Sequence, residues 1–181
     1  KLFKKIENKS YIESSNFLFG CIPALNQNYS NIKIIHIVRH PATYIESHLN
    51  HGFWKGHKKF FAKHIPFWLE KMDIEDVSNP IKILSERWNY VNKQIESYAQ
   101  TNDYLFIRFE DLFSEDNYIS SEQLNTIREF CGISLLSEQE NYQWVGKPKN
   151  FSSQKYHLSI SDKDFILTHN KGLMKEYRYH E

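Results

Sequence analysis

The chain has 181 residues, which is enough for one domain with a sizeable hydrophobic core. Its formal net charge of +1 argues against a broad nucleic-acid interface, so any positive charge that matters must be local. No apolar stretch is long enough to cross a bilayer and no signal peptide is visible, so a membrane is not indicated. We therefore expect a single domain over 1–181.

Two cysteines, Cys21 and Cys131, have apolar neighbours in the sequence, in LFGCIP and REFCGI. These neighbours favour buried thiols over a disulfide, and free thiols fit a reducing compartment. We therefore expect a cytoplasmic protein. Because the sequence starts at Lys1 rather than Met, we also expect that its natural N-terminus is missing.

The first predicted elements run from residue 17 to residue 50. FLFGCIPALNQNY (17–29) has apolar residues at helical spacing and predicts a short helix or turn, whereas the β-branched run KIIHIV (33–38) predicts a buried strand. Pro41 suits the first position of a helix, because its missing N–H would be unpaired there. We expect that helix to reach about Asn50 and to stop near Gly52.

The rest of the chain alternates in the same way. DYLFIRF (103–109) predicts a second buried strand, and SEQLNTIREFCGI predicts a helix capped by Ser121 and ended by Gly132. Further helices are predicted over 57–71, over 80–100 with Trp88 in its core-facing stripe, and from near Ser161 onwards. Strands that alternate with helices favour an α/β fold with a parallel sheet.

Arg39 comes directly after the first predicted strand and just before Pro41. In an open parallel sheet, ligands bind at the carboxyl ends of the strands, and a helix that begins there offers free N–H groups. Arg39 and this helix start therefore predict a site for an anion such as phosphate, to which Ser47 could donate. The alternative is an arginine that is paired with a neighbouring carboxylate.

The spacing R-x-P-x5-S from Arg39 to Ser47 resembles the 3′-phosphate-binding motif of sulfotransferases that use 3′-phosphoadenosine 5′-phosphosulfate (PAPS). Other stretches resemble this family in the same order, with the first of them similar to the carbohydrate-type members. They are YIESSNFLFGCIPAL, YLFIRFEDL, FCGISL, GKPKNFSS and LMKEYRY. The resemblance implies sulfuryl transfer from PAPS to a hydroxyl or amine, on a small molecule or glycan acceptor.

One part of the family pattern has no counterpart in this sequence. The family opens with a strand, a Gly-rich phosphosulfate loop with a Lys or Arg, and a helix, whereas the six glycines here form no such loop. The resemblance implies a P-loop-NTPase-like parallel sheet with flanking helices, without its first strand and phosphate loop. The alternative function is therefore a truncated, non-catalytic nucleotide-binding remnant. A kinase-like P-loop enzyme is a more distant alternative, which the absence of a Walker loop disfavours.

The resemblance also suggests roles for further residues. Glu13 of YIESS takes the position of the catalytic base in carbohydrate-type members, although it could instead be a surface carboxylate or a helix cap. Lys147 and Lys149 match basic residues that contact the 3′-phosphate in the family, although they could equally be solvated lysines.

Three charged residues, Arg108, Glu110 and Asp111, follow the second predicted strand in the sequence RFEDL. We expect a structural role for them, as a carboxylate–arginine network that holds the loop after the strand. No pattern of cysteines or histidines predicts a metal site, so we expect no metal cofactor. The oligomeric state and the identity of the acceptor cannot be predicted from these residues.

Overall fold

A computed structural model of the chain describes residues 12–14, 18–50, 79–137, 139–141 and 156–179. The chain divides into two compact units, Lys1–Ile32 and Lys33–Glu181, and each is described by itself. The predicted helix over 57–71 lies outside the described residues, and the expectation of a single domain stays a prediction.

The first unit contains a 3₁₀ helix, Leu18–Cys21, followed by the helix α1, Ile22–Asn28. This confirms the short helix that the sequence predicts. Phe19 and Ile22 are buried, whereas Cys21 between them is exposed. The prediction of a buried thiol is wrong here, because the junction of the two helices turns Phe19 and Ile22 inward and leaves Cys21 outside. Cys131 of the second unit is only half-buried, and both cysteines are free.

The second unit contains a parallel two-stranded sheet. Strand β1, Lys33–Val38, pairs with strand β2, Asp103–Arg108, and the final residues of the two strands lie opposite each other. Both predicted strands and the parallel α/β arrangement are therefore confirmed. Their predicted burial is wrong in part, because buried residues of β1 alternate with more exposed ones and Ile107 alone is buried in β2. The second strand is one residue shorter than predicted, because Phe109 begins a helix.

The second unit also contains five helices that lie wholly within the described residues. They are α2 (Pro41–Asn50), α3 (Pro80–Ser97), α4 (Phe109–Leu112), α5 (Asn117–Phe130) and α6 (Ile160–Glu176). Pro41 is the first residue of α2, as predicted. Helix α3 begins after Asn79, whose side chain accepts hydrogen bonds from the first-turn N–H groups, and α6 begins with a capping box between Ser159 and Asp162.

The start of α5 differs from the prediction. The side chain of Asp116 accepts a hydrogen bond from the N–H of Tyr118 and caps the helix, so Ser121 lies inside it and is buried. The end of α5 is as predicted. Gly132 has a left-handed φ of 69°, and the next residue, Ile133, donates its N–H to the carbonyl of Arg128.

Helices α2, α3 and α6 pack together and form the core beside the sheet. One buried cluster lies at the end of β1 and joins Val38, Trp88, Leu173, Met174, Tyr177 and Tyr179. A second cluster lies under α2 and joins Ile45, Leu49, Ile81, Leu84, Leu158 and Ile166. The carboxyl end of β1 is therefore held on its inner side by α3 and by the end of α6.

Candidate anion-binding site

The carboxyl ends of β1 and β2 bring Arg39 and Phe109 together. Val38 and Arg108 are paired in the parallel register, so the residues that follow them leave the sheet at the same edge. The guanidinium carbon of Arg39 lies 4.8 Å from the centre of the Phe109 ring. This cation–π contact supports the side chain of Arg39 on one face of the guanidinium.

A second contact orients the guanidinium along α2. The Nε–H of Arg39 donates to Oγ1 of Thr43 at 3.2 Å, and the hydroxyl of Thr43 donates in turn to the carbonyl of His40 at 3.0 Å. Nε is committed to Thr43, and no described residue accepts a hydrogen bond from the Nη groups, so these are the part of the guanidinium left for a ligand. A guanidinium held in this way suits the bidentate recognition of a phosphate.

Arg39 stays charged although it is half-buried. Burial lowers the pKa of Arg39, and the nearby carboxylates of Glu110 and Glu46 act in the opposite direction. An arginine retains its charge under such a shift, because its ordinary pKa is far above neutral pH. Among the described residues, neither carboxylate forms an ion pair with Arg39. A direct ion pair, the simplest form of the carboxylate-paired alternative, is therefore absent from that part of the chain, although both carboxylates act on the charge of Arg39.

Two side chains that are distant in sequence hold the peptide group that follows this arginine. The indole N–H of Trp88 donates to the carbonyl of Arg39 at 2.9 Å, and the N–H of His40 donates to Oε1 of Glu110 at 2.9 Å. The peptide group between Arg39 and His40 is therefore held at both its oxygen and its N–H by side chains from outside the turn.

These bonds also reduce the number of backbone N–H groups that an anion could reach at the start of α2. The N–H of His40 is already donated to Glu110, and Pro41 has none. Of the four N–H groups that an α-helix leaves unpaired at its start, those of Ala42 and Thr43 have no acceptor among the described residues. An anion at this place would meet fewer backbone donors than the sequence predicts, and it would depend more strongly on Arg39.

Ser47 lies on α2, one turn after Thr43, and is half-buried. Residues four apart share a face of a helix, so Thr43 and Ser47 extend the line that begins at Arg39. This placement is compatible with the predicted role of Ser47 as a donor to the same anion, and that role stays a prediction.

The RFEDL residues form a network, but the segment that it holds is not the one that the sequence predicts. Glu110 binds the N–H of His40, so it holds the turn after β1 rather than the loop after β2. Arg108 and Asp111 lie 3.7 Å apart, an ion-pair distance that is too long for a hydrogen bond. Arg108 also lies over the ring of Tyr179, with 4.7 Å between its guanidinium carbon and the ring centre.

For the other predicted site residues, the structure gives no position relative to Arg39. Glu13 is exposed and belongs to the first unit, so its position relative to Arg39 is not described. Lys147 and Lys149 lie outside the described residues. The chain after them returns to α2, where Leu158 donates its N–H to Oε1 of Glu46 at 3.2 Å.

No cluster of three or more His, Cys, Asp or Glu side chains that could hold a metal ion occurs within the described ranges. In the same part of the chain, no helix is both long enough and apolar enough to span a membrane.

The two parallel strands end beside Arg39 and the first residues of α2. The protein is therefore an α/β protein with a candidate anion site at this edge of the sheet. A family model, the sulfotransferase domain, matches residues 23–180, and the chain belongs to that family. The match covers Arg39 and Ser47 together with both strands and begins after Glu13. Searches of curated proteins and of solved structures gave no match.

Sequence reasoning missed Thr43 and Tyr179, and it did not predict that Trp88 and Glu110 bond to the turn after β1. Thr43 was detectable, because it lies four residues after Arg39 and thus one helical turn away. The contacts of Trp88, Glu110 and Tyr179 join residues that are far apart in sequence, and only the folded chain reveals them.

Proposed function

We propose that the protein is a sulfotransferase that moves a sulfuryl group from PAPS to a hydroxyl or amine acceptor, with carbohydrates among the candidate acceptors. Membership of the sulfotransferase domain family supports transferase chemistry. The observation that carries the choice of donor is the guanidinium of Arg39, which is oriented by Thr43 and Phe109 with its Nη groups left for an anion. PAPS supplies such an anion in its 3′-phosphate.

Four residues would bind the 3′-phosphate of this donor. Arg39 and Ser47 would hold the 3′-phosphate along one face of α2, and Lys147 and Lys149 would add charge to the same group. A bidentate arginine contact of this kind contributes about 1.5–3 kcal/mol per hydrogen bond to a charged group. The proposed architecture is a P-loop-NTPase-like sheet, of which the two described strands form a part.

The reaction needs an acceptor that loses its proton. The acceptor oxygen or nitrogen forms a bond to sulfur, the bond between sulfur and the 5′-phosphate oxygen breaks, and 3′-phosphoadenosine 5′-phosphate leaves. We assign Glu13 as the base that takes the acceptor proton, on the basis of its position in YIESS. A cytoplasmic location and the class of acceptor stay predictions.

The test is calorimetric binding of two nucleotides to the protein. 3′-Phosphoadenosine 5′-phosphate should bind more tightly than adenosine 5′-phosphate, which lacks the 3′-phosphate. Arg39→Ala should remove most of this difference, and Ser47→Ala should reduce it by roughly tenfold. Arg128→Ala is the matched control, because Arg128 lies on α5, donates to the carbonyl of Ser134 just after that helix, and should leave both affinities unchanged when it is replaced.

The results separate the alternatives. Equal affinities of the unmodified protein for the two nucleotides would contradict the proposal. Preference for the 3′-phosphate without transfer of labelled sulfate to any acceptor would favour the non-catalytic nucleotide-binding module.

A further inference from the structure

The end of α6 contains a backbone conformation that is unusual for its residue. Arg178 has a φ of 59°, which places it in the left-handed region that glycine normally occupies at the end of a helix. The N–H of Tyr179 donates to the carbonyl of Met174 at 2.9 Å, and the N–H of Arg178 donates to that of Lys175 at 3.1 Å. These bonds reverse the chain and turn Tyr179 back towards the sheet.

Tyr179 is buried at the carboxyl end of β1. Its hydroxyl lies 2.6 Å from Oε2 of Glu110 and 3.0 Å from the carbonyl of Val38. A hydroxyl has one proton, and the shorter bond to the charged carboxylate is the stronger of the two. Burial raises the pKa of Tyr179 and the Glu110 carboxylate raises it further, so the hydroxyl retains its proton and acts as the donor.

Glu110 therefore joins the end of the chain to the candidate anion site. Its Oε2 accepts from Tyr179, while its Oε1 accepts the N–H of His40, the residue that follows Arg39. The ring of His40 also packs edge-on against the ring of Tyr179, with 5.2 Å between their centres. Both the backbone and the side chain of His40 thus depend on Tyr179.

We propose that Tyr179 is a positioning residue of the 3′-phosphate site. By binding one oxygen of Glu110 it orients the other oxygen towards the N–H of His40, and this fixes the turn that aims Arg39. Tyr179 does not contact the nucleotide itself. This inference rests on the proposed function for its ligand, but its structural part can be tested without any ligand.

The test compares Tyr179→Phe with Tyr177→Phe. Both variants remove one hydroxyl from a buried tyrosine at the end of α6, but the carboxylate that acts on the Tyr177 hydroxyl is that of Glu96 and not that of Glu110. The first readout is hydrogen exchange of the His40 amide in the free protein, measured by NMR. The second is the affinity difference between 3′-phosphoadenosine 5′-phosphate and adenosine 5′-phosphate.

Tyr179→Phe should accelerate exchange of the His40 amide and reduce the affinity difference by about tenfold, while Tyr177→Phe changes neither. Glu110→Gln keeps a neutral acceptor oxygen and should act in the same direction with a smaller effect. It provides a second variant if Tyr179→Phe folds poorly.

The two ideas can fail separately. If Tyr179→Phe leaves both exchange of the His40 amide and the nucleotide preference at the level of the unmodified protein, the positioning role is overturned. If the unmodified protein does not prefer the 3′-phosphate, the proposed function fails instead, and the exchange rate of the His40 amide alone decides whether Tyr179 holds the turn.

Discussion

The indole N–H of Trp88 donates a hydrogen bond of 2.9 Å to the carbonyl oxygen of Arg39, across 49 residues of sequence. The spacing of apolar residues predicts Trp88 as a core residue of its helix, and its exposure of 2% confirms this. The hydrogen bond shows that the same side chain also holds the backbone at the candidate site. A core tryptophan of α3 satisfies the peptide group from which the candidate ligand-binding arginine extends.

Trp88→Phe should therefore destabilise the protein by more than its change in volume implies. Phenylalanine keeps most of the apolar packing but leaves the carbonyl of Arg39 without its donor, which costs about 1–3 kcal/mol for a buried polar group. Urea denaturation should show a lower midpoint with an unchanged m-value. An unchanged midpoint would mean that water or another donor replaces the indole.

Thr43→Val should weaken binding of 3′-phosphoadenosine 5′-phosphate by roughly tenfold, since the hydroxyl that holds Nε of Arg39 is lost while the volume is conserved. Thr43→Ser retains the hydroxyl and should restore most of the affinity. Calorimetry on both variants measures this. Equal affinities of the valine and serine variants would show that the hydroxyl does not orient Arg39.

Glu13→Gln should leave nucleotide affinity unchanged and lower turnover about a hundredfold or more, which is the usual contribution of a general base. The measurement is the initial rate of labelled sulfate transfer at saturating donor. Glu115→Gln, another exposed carboxylate, is the matched control. Full activity of Glu13→Gln would assign the base to another residue.

The parts of this fold that could be predicted are those set by local sequence. The β-branched run of β1, Pro41 at the first position of α2 and Gly132 after α5 each carry their own signal. The cap of α5 was predicted at the wrong residue, because Asp116 and Ser121 are both capping types and sequence alone does not rank them.

The sequence predicts Arg39 as the centre of the candidate site, but it does not predict the contacts that hold Arg39 in place. A carboxylate after a strand indicated that Glu110 belongs to a network. Its partners are a backbone N–H, which no residue type identifies, and a tyrosine 69 residues away. Such contacts depend on how α4 and α6 approach the end of β1, and this is decided by packing rather than by local pattern.

We expect His36 to make the stability of the protein depend on pH, because both of its ring nitrogens form hydrogen bonds inside the core. Asn92 donates its amide N–H to the carbonyl of Trp88, so its oxygen faces Nε2 of His36 at 2.8 Å and accepts from it. Nδ1 of His36 then accepts from the hydroxyl of Tyr104 at 2.7 Å. The imidazole is therefore neutral in the folded protein.

Burial lowers the pKa of His36 from 6.5 to about 4, with the Asn92 hydrogen bond opposing the shift. Below pH 6.5 the unfolded chain binds a proton that the folded protein excludes, so stability falls as the pH drops from 6.5 to about 4. The loss over this window is about 3 kcal/mol.

Urea unfolding as a function of pH measures this loss. His36→Gln should be less stable at neutral pH and should lose less stability on acidification, because the amide does not titrate. His157→Gln, at an exposed histidine, should retain the full pH dependence of the original protein. The same pH dependence in His36→Gln and the original protein would assign the acid sensitivity to other groups.

Arg178→Gly should stabilise the protein, in contrast to most substitutions. Arg178 is exposed and has a φ of 59°, a conformation that costs a residue with a Cβ about 1 kcal/mol relative to glycine. Part of this gain is offset, because glycine makes the unfolded chain more flexible, so we expect a net gain of about 0.5 kcal/mol.

Gly132→Ala is the reciprocal control at the end of α5. Gly132 has a φ of 69°, and an added Cβ would meet nothing within 4 Å, so any loss of stability measures the backbone alone. We expect about 0.5 kcal/mol of destabilisation, because alanine also makes the unfolded chain less flexible and this offsets part of the backbone cost. If Arg178→Gly instead destabilises the protein, the side chain of Arg178 makes a favourable contribution larger than its backbone strain.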